Sequence, residues 1–66
     1  MEIELNGAPY PISDNHNLQD LIASLSLSNH ALAVAVNREV VPRDLWQRRV
    51  LQAHDRVDIV RAIGGG

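Results

Sequence analysis

Cysteine, lysine and phenylalanine are absent from this 66-residue sequence, and its two aromatic side chains are Tyr10 and Trp46. Without cysteine there is neither a disulfide framework nor a thiolate metal site. Without lysine, all six basic residues are arginine, set against eight carboxylates, and the formal net charge of −2 gives no basic field for phosphates. A nucleic-acid partner is therefore not expected. Long hydrophobic runs are missing too. The longest, residues 31–36, is far short of the roughly 20 residues that span a bilayer, and Met1-Glu2-Ile3 opens without the basic and apolar regions of a targeting segment. No membrane partner is expected, and the localisation that follows is cytoplasmic.

Sixty-six residues make one domain. A core that small rarely supplies more than about 3 to 5 kcal/mol, and a small-molecule pocket would take roughly 300 to 1,000 Å³ out of it. A self-contained enzyme is not expected, and function belongs on a surface or a terminus. With 45% hydrophobic and 21% charged residues the composition is still that of a folded chain, not a disordered one.

Glu2-Ile3-Glu4-Leu5 alternates polar and apolar, the period of a half-buried strand, and Asn6-Gly7 is a hairpin turn signal because both residues tolerate positive φ. The return strand, residues 8–12, carries Pro9 and Pro11. Proline donates no ladder hydrogen bond, so this strand belongs at a sheet edge. Asn17 and Asp20 form a variant capping box, followed by Leu18, Leu21, Ile22 and Leu25 at helical spacing, which predicts one amphipathic helix near residues 18–25. Its stripe packs on a sheet face holding Ile3, Leu5, Val34, Val36, Val57 and Ile59. Residues 31–36 alternate large and small apolar side chains, as an interior strand does. Asn37-Arg38-Glu39 turns the chain into a short strand at Val40-Val41, and residues 43–49 form a helical turn with Leu45 and Trp46 as its apolar contacts. A last strand runs from Val57 towards Ile63, parallel to the first. Strand pairs with one helix between them make the class α+β, with a mixed sheet and the helix on one face.

Three glycines, Gly64, Gly65 and Gly66, follow the last strand. Glycine gives a mobile, sterically thin segment, and four residues from Ile63 reach at most about 14 Å. A carboxylate on such an arm fits a narrow channel in another protein. There ATP can convert it into an acyl adenylate open to attack by sulfur. A frayed terminus is the other reading of the same residues. Elsewhere the candidates are plain. His16, His30 and His54 lack local metal-ligand spacing and read as solvated side chains, so no metal site is expected. Asp55 and Asp58 read as capping and solvating groups, Arg48-Arg49 as a solvated face, and Trp46 as partly buried against the core.

Taken together, the opening strand with Asn6-Gly7, the stretch Ala35-Val36-Asn37, the segment Val40-Val41-Pro42-Arg43 with Trp46 beyond it, Asp55-Arg56-Val57 and Ala62-Ile63-Gly64-Gly65-Gly66 resemble the β-grasp, ubiquitin-like sulfur carriers. Within them, the chain is more closely similar to the ThiS family of thiamine thiazole biosynthesis, and Val-Val-Pro-Arg is the discriminating stretch. Two departures stand out. Ala53-His54-Asp55 replaces an Asp-Gly-Asp turn, which strains the backbone if the middle residue needs positive φ. Gly64 is additional to the family's terminal pair, which falls on Gly65-Gly66.

The resemblance implies a β-grasp domain over residues 1–61 and a flexible tail over 62–66. It implies a carrier and not an enzyme, with no cofactor of its own. An E1-like adenylyltransferase, ThiF, would adenylate Gly66 with ATP and Mg²⁺, a sulfurtransferase relay would load it as a thiocarboxylate, and thiazole synthase, ThiG, would receive the sulfur. Val60, Ala62 and Ile63 are the expected partner-binding residues, on and beyond the strand that leads into the tail. A carrier for molybdopterin synthesis of the MoaD kind, or a ubiquitin-like binding module with an inert tail, are the alternatives.

Overall fold

A computed structural model describes residues 1–27 and 32–61. Strand β1 (Glu2–Leu5) turns at Asn6-Gly7, with φ of 48° and 84°, into β2 (Ala8–Pro11). Two successive positive φ values match the right-handed twist of the flanking strands, which is why Asn-Gly suits the position. Helix α1 (Leu18–Ser24) crosses to β3 (Leu32–Val36), which forms a hairpin with β4 (Glu39–Val40). A single 3₁₀ turn, Arg43–Leu45, follows, and β5 (Arg56–Arg61) is the last described strand. The sheet order is β2-β1-β5-β3-β4, with β5 parallel to β1 and antiparallel to β3. The proline-bearing β2 lies at the edge, as its missing donors require.

The start of α1 shows how a seven-residue helix, too short to persist alone, is held. Asn17 Oδ1 accepts from the Asp20 N–H at 2.7 Å, and the Asp20 carboxylate accepts from the Asn17 N–H at 3.3 Å, completing the capping box. The remaining N-terminal donors find carbonyls on a distant segment: Leu18 N–H to Arg49 O at 2.9 Å and Gln19 N–H to Trp46 O at 3.2 Å. At the far end Ser26 takes φ of 60°, and Leu27 N–H bonds Ile22 O at 3.1 Å, a six-residue closing bond of the Schellman type.

Leu18, Leu21 and Ile22 are fully buried against Ile3, Val34, Val36 and Val57, while Leu25, Leu5 and Ile59 pack around them half-buried. The helix therefore covers the sheet face expected from its apolar spacing. Two side chains after Val41 differ from expectation. Trp46 is 1% exposed, its indole N–H donating to Val41 O at 2.9 Å, so it belongs wholly to the core. Leu45 is 43% exposed, because the 3₁₀ turn can direct only one of two neighbouring residues inward. Glu39, expected in the turn, is already paired with Val36, since the turn is made by Asn37 and Arg38 at φ of 52° and 70°.

Candidate functional site

The sheet face away from α1 is divided into two zones by its sequence. Side chains alternate along β5, so Val57 and Ile59 face the helix while Arg56, Asp58 and Val60 face out. Towards β2 the outer face is charged: Arg56 Nε lies 3.6 Å from Glu4 Oε2 and 3.3 Å from Asp58 Oδ2. Towards β4 it is small and apolar. Val60 stands opposite Ala33 and is 63% exposed, and Val40 stands opposite Ala35 and is 71% exposed. Two bare valines over an alanine floor, edged by ions, make a surface that water solvates poorly and a partner protein can cover.

Of the residues expected to bind partners, Val60 is on this face. Ala62 and Ile63, together with Gly64, Gly65 and Gly66, lie outside the described residues. Val60 is one position from the end of β5, so the apolar zone sits at the root of the segment that leads to Gly66.

The beginning of β5 is fixed by a network that the sequence did not disclose. Asp55 is 8% exposed and holds three partners: it accepts from the Gln52 N–H at 2.8 Å and from Asn37 Nδ2 at 3.0 Å, and Arg49 Nη2 lies 3.6 Å away. Asp55 reads in the sequence as a capping and solvating group, and its bond from the Gln52 N–H fits the capping half, while Arg49 reads as part of a solvated face. In the fold they tie the loop before β5 to the β3–β4 turn and to the segment that caps α1. The signal that was available is the pairing of a short acceptor before the last strand with an asparagine at a hairpin turn, and it becomes visible only once β3 and β5 are known to be neighbours. His54, just before Asp55, has φ of 71°. The strain expected from the missing glycine falls on this residue.

Among the described residues, no three His, Asp or Glu side chains come together as a metal site, and no helix is long and apolar enough to cross a membrane. A groove of about 330 Å³ lies between β4 and the 3₁₀ turn, walled by Val40, Pro42, Leu45 and Arg48. It contains no arrangement of acid, base and nucleophile.

Comparison with known proteins agrees with these features along the whole sequence. The chain is 32% identical over 65 residues to the sulfur carrier protein ThiS of Bacillus subtilis (strain 168), covering 97% of this chain and 98% of that one. It is 36% identical over 66 residues to a thiazole synthase of Magnetococcus marinus, of whose length it spans 20%. The crystal structure of the thiamine biosynthesis protein ThiS from Geobacter metallireducens matches over 100% of both chains, with a TM-score of 0.85 at 25% identity. The model of the ThiS family matches residues 3–66, and with the β-grasp order of its strands around one helix, the chain belongs to the ThiS family.

Proposed function

We propose that the chain is a sulfur carrier protein for thiazole formation in thiamine biosynthesis, with the Gly66 carboxylate as its reactive group. The observation that carries this reading is the family match through residue 66, which takes in Gly65-Gly66. Residues 1–61 are the body that partners recognise, and residues 62–66 are the segment that enters the partner's site.

The chain supplies an unhindered acyl carbon and a docking face, and catalysis belongs to its partners. An adenylyltransferase of the ThiF kind binds the outer face through Val60, with Ala62 and Ile63 continuing the contact. The Gly66 carboxylate oxygen attacks the α-phosphorus of ATP and pyrophosphate leaves. A sulfur nucleophile such as hydrosulfide then adds to the acyl adenylate carbonyl and expels AMP, leaving a thiocarboxylate and a proton. Neither step asks for a side chain of the carrier. The acceptor is a thiazole synthase of the ThiG kind. Support comes from the Magnetococcus protein, in which a segment similar to this chain is part of a thiazole synthase.

Gly65→Val tests the steric requirement of the tail. A β-branched side chain restricts φ and widens a segment that has to enter a narrow site. ATP–pyrophosphate exchange with the activating enzyme should fall to background while the melting curve stays unchanged. Exchange at the wild-type rate contradicts the reading.

A further inference from the structure

The parallel pairing of β1 with β5 is short. Glu4 stands beside Arg56 and Leu5 beside Val57, and then β1 ends while β5 continues to Arg61. Along this edge the Glu4 N–H donates to Asp55 O at 2.9 Å and the Asn6 N–H to Val57 O at 2.9 Å. In an evenly spaced parallel ladder the next bond would run from the Ile59 N–H to the backbone carbonyl of residue 6. No bond to that carbonyl forms: Asn6, with φ of 48°, begins the hairpin to β2 at this point. Asn6 Oδ1 replaces it, accepting from the Ile59 N–H at 2.8 Å across 53 positions of sequence. Asparagine suits the position twice over: it tolerates the left-handed region, and its amide oxygen imitates a backbone acceptor.

Asn37 repeats the device at the other end of β5. With φ of 52°, it donates its N–H to Arg56 O at 2.7 Å and accepts from the Arg56 N–H through Oδ1 at 2.9 Å. The two side-chain rungs differ in where they act. Asn37 fixes the start of the strand beside the Asp55 network. Asn6 supports its final stretch, where residues 58–61 pair with β3 on one side and have Asn6 Oδ1 on the other.

We infer that Asn6 is a positioning residue for the sulfur-bearing end: its side-chain rung keeps β5 ordered up to the residues that lead to Gly66. This rests on the carrier reading above. Val60, on the docking face, is the residue after Ile59. An ordered strand at 59–61 therefore couples the docked body to the point where the tail departs. If that stretch loosens, three more residues must be ordered each time the tail threads the partner's site, which raises the barrier to transfer. Docking is weakened less, because Val40, the other apolar residue of the outer face, lies on β4 and keeps its pairing with Ala35.

Two variants separate the roles of Asn6. Asn6→Gly keeps the left-handed φ and deletes the acceptor, whereas Asn6→Asp keeps an acceptor oxygen in the same place. Amide hydrogen exchange at Ile59 and Val57 is measured on the free chain, and kcat and KM for sulfur loading are measured with a ThiF-type enzyme, Mg-ATP and sulfide. In Asn6→Gly the Ile59 amide should exchange about three- to tenfold faster, the range of one net hydrogen bond, while the core amide of Val57 is unchanged. Loading kcat should fall by about tenfold, since reaction geometry is sensitive to errors of about 1 Å, with a smaller rise in KM. Asn6→Asp should match wild type in both measurements. Unchanged Ile59 exchange in Asn6→Gly overturns the rung. Unchanged kcat despite faster exchange overturns the positioning role, as does an Asn6→Asp variant as defective as Asn6→Gly. A wild-type chain that is never loaded overturns the carrier reading and the positioning role with it, and the Ile59 exchange in the free chain tells this failure from the others.

Discussion

His54, like Arg38, holds a left-handed φ that its residue type does not favour. At φ of 71° an L-residue other than Asn or Asp costs about 1 to 2 kcal/mol, and glycine returns part of that gain through its freer unfolded state. His54→Gly should therefore stabilise the domain by about 0.5 to 1 kcal/mol, read as a rise in Tm of roughly 3 to 6 °C. A lower Tm would show that the His54 side chain is held by contacts worth more than the strain. Asp55→Ala acts in the opposite direction: it strands the Gln52 N–H, Asn37 Nδ2 and Arg49 at once. The expected loss is about 2 to 3 kcal/mol in urea unfolding. Residue-scale features of this kind were unevenly legible. Asn6-Gly7 announces its turn because both residues favour positive φ. Arg38 and His54 do not, since their φ values of 70° and 71° are imposed by strands meeting from distant parts of the chain. Asp55 reads as a capping and solvating group because short acidic residues near turns usually are, and the Asn37 side chain that also bonds it lies 18 positions away.

The elements divide along similar lines. Helix α1 was legible in its capping box, apolar stripe and buried face, because each of these is a local pattern, though it ends at Ser24, one residue before the expected bound. The edge position of β2 was legible from Pro9 and Pro11. Residues 41–51 were legible in part: the helical turn expected over 43–49 forms as the 3₁₀ turn at Arg43–Leu45, whereas the full burial of Trp46, the burial of Leu51 and the two carbonyls given to the start of α1 were not foreseen. Their structure is set by docking against the helix, and irregular segments carry no period to read. Since Leu21 is fully buried between helix and sheet, Leu21→Ala should cost about 2 to 5 kcal/mol, enough to leave so small a domain largely unfolded. A cooperative melt near that of wild type would contradict the packing of α1 on the sheet.

On the scale of the whole molecule, β5 joins three roles: it is the central strand of the core, its outer side chains belong to the proposed docking face, and it leads to the glycines. The sequence suggested that the first and last strands are neighbours, and the sheet order places β5 between β1 and β3. The apolar zone of Val40 and Val60 was half visible, since Val60 follows from alternation along β5 but Val40 joins it only through its pairing with Ala35. Val60→Asp puts a charge at the centre of that zone while touching nothing in the core. It should weaken association with the activating enzyme by about tenfold or more and leave the melting curve in place, and wild-type association would remove Val60 from the interface. The central claim, that Gly66 carries the sulfur, is tested most directly by intact-mass measurement after incubation with a ThiF-type enzyme, Mg-ATP and sulfide. The predicted result is a mass increase of one oxygen exchanged for one sulfur, absent when ATP is omitted and absent from a protein lacking Gly66. An unchanged mass under conditions that load another ThiS protein, or equal loading without Gly66, would contradict it.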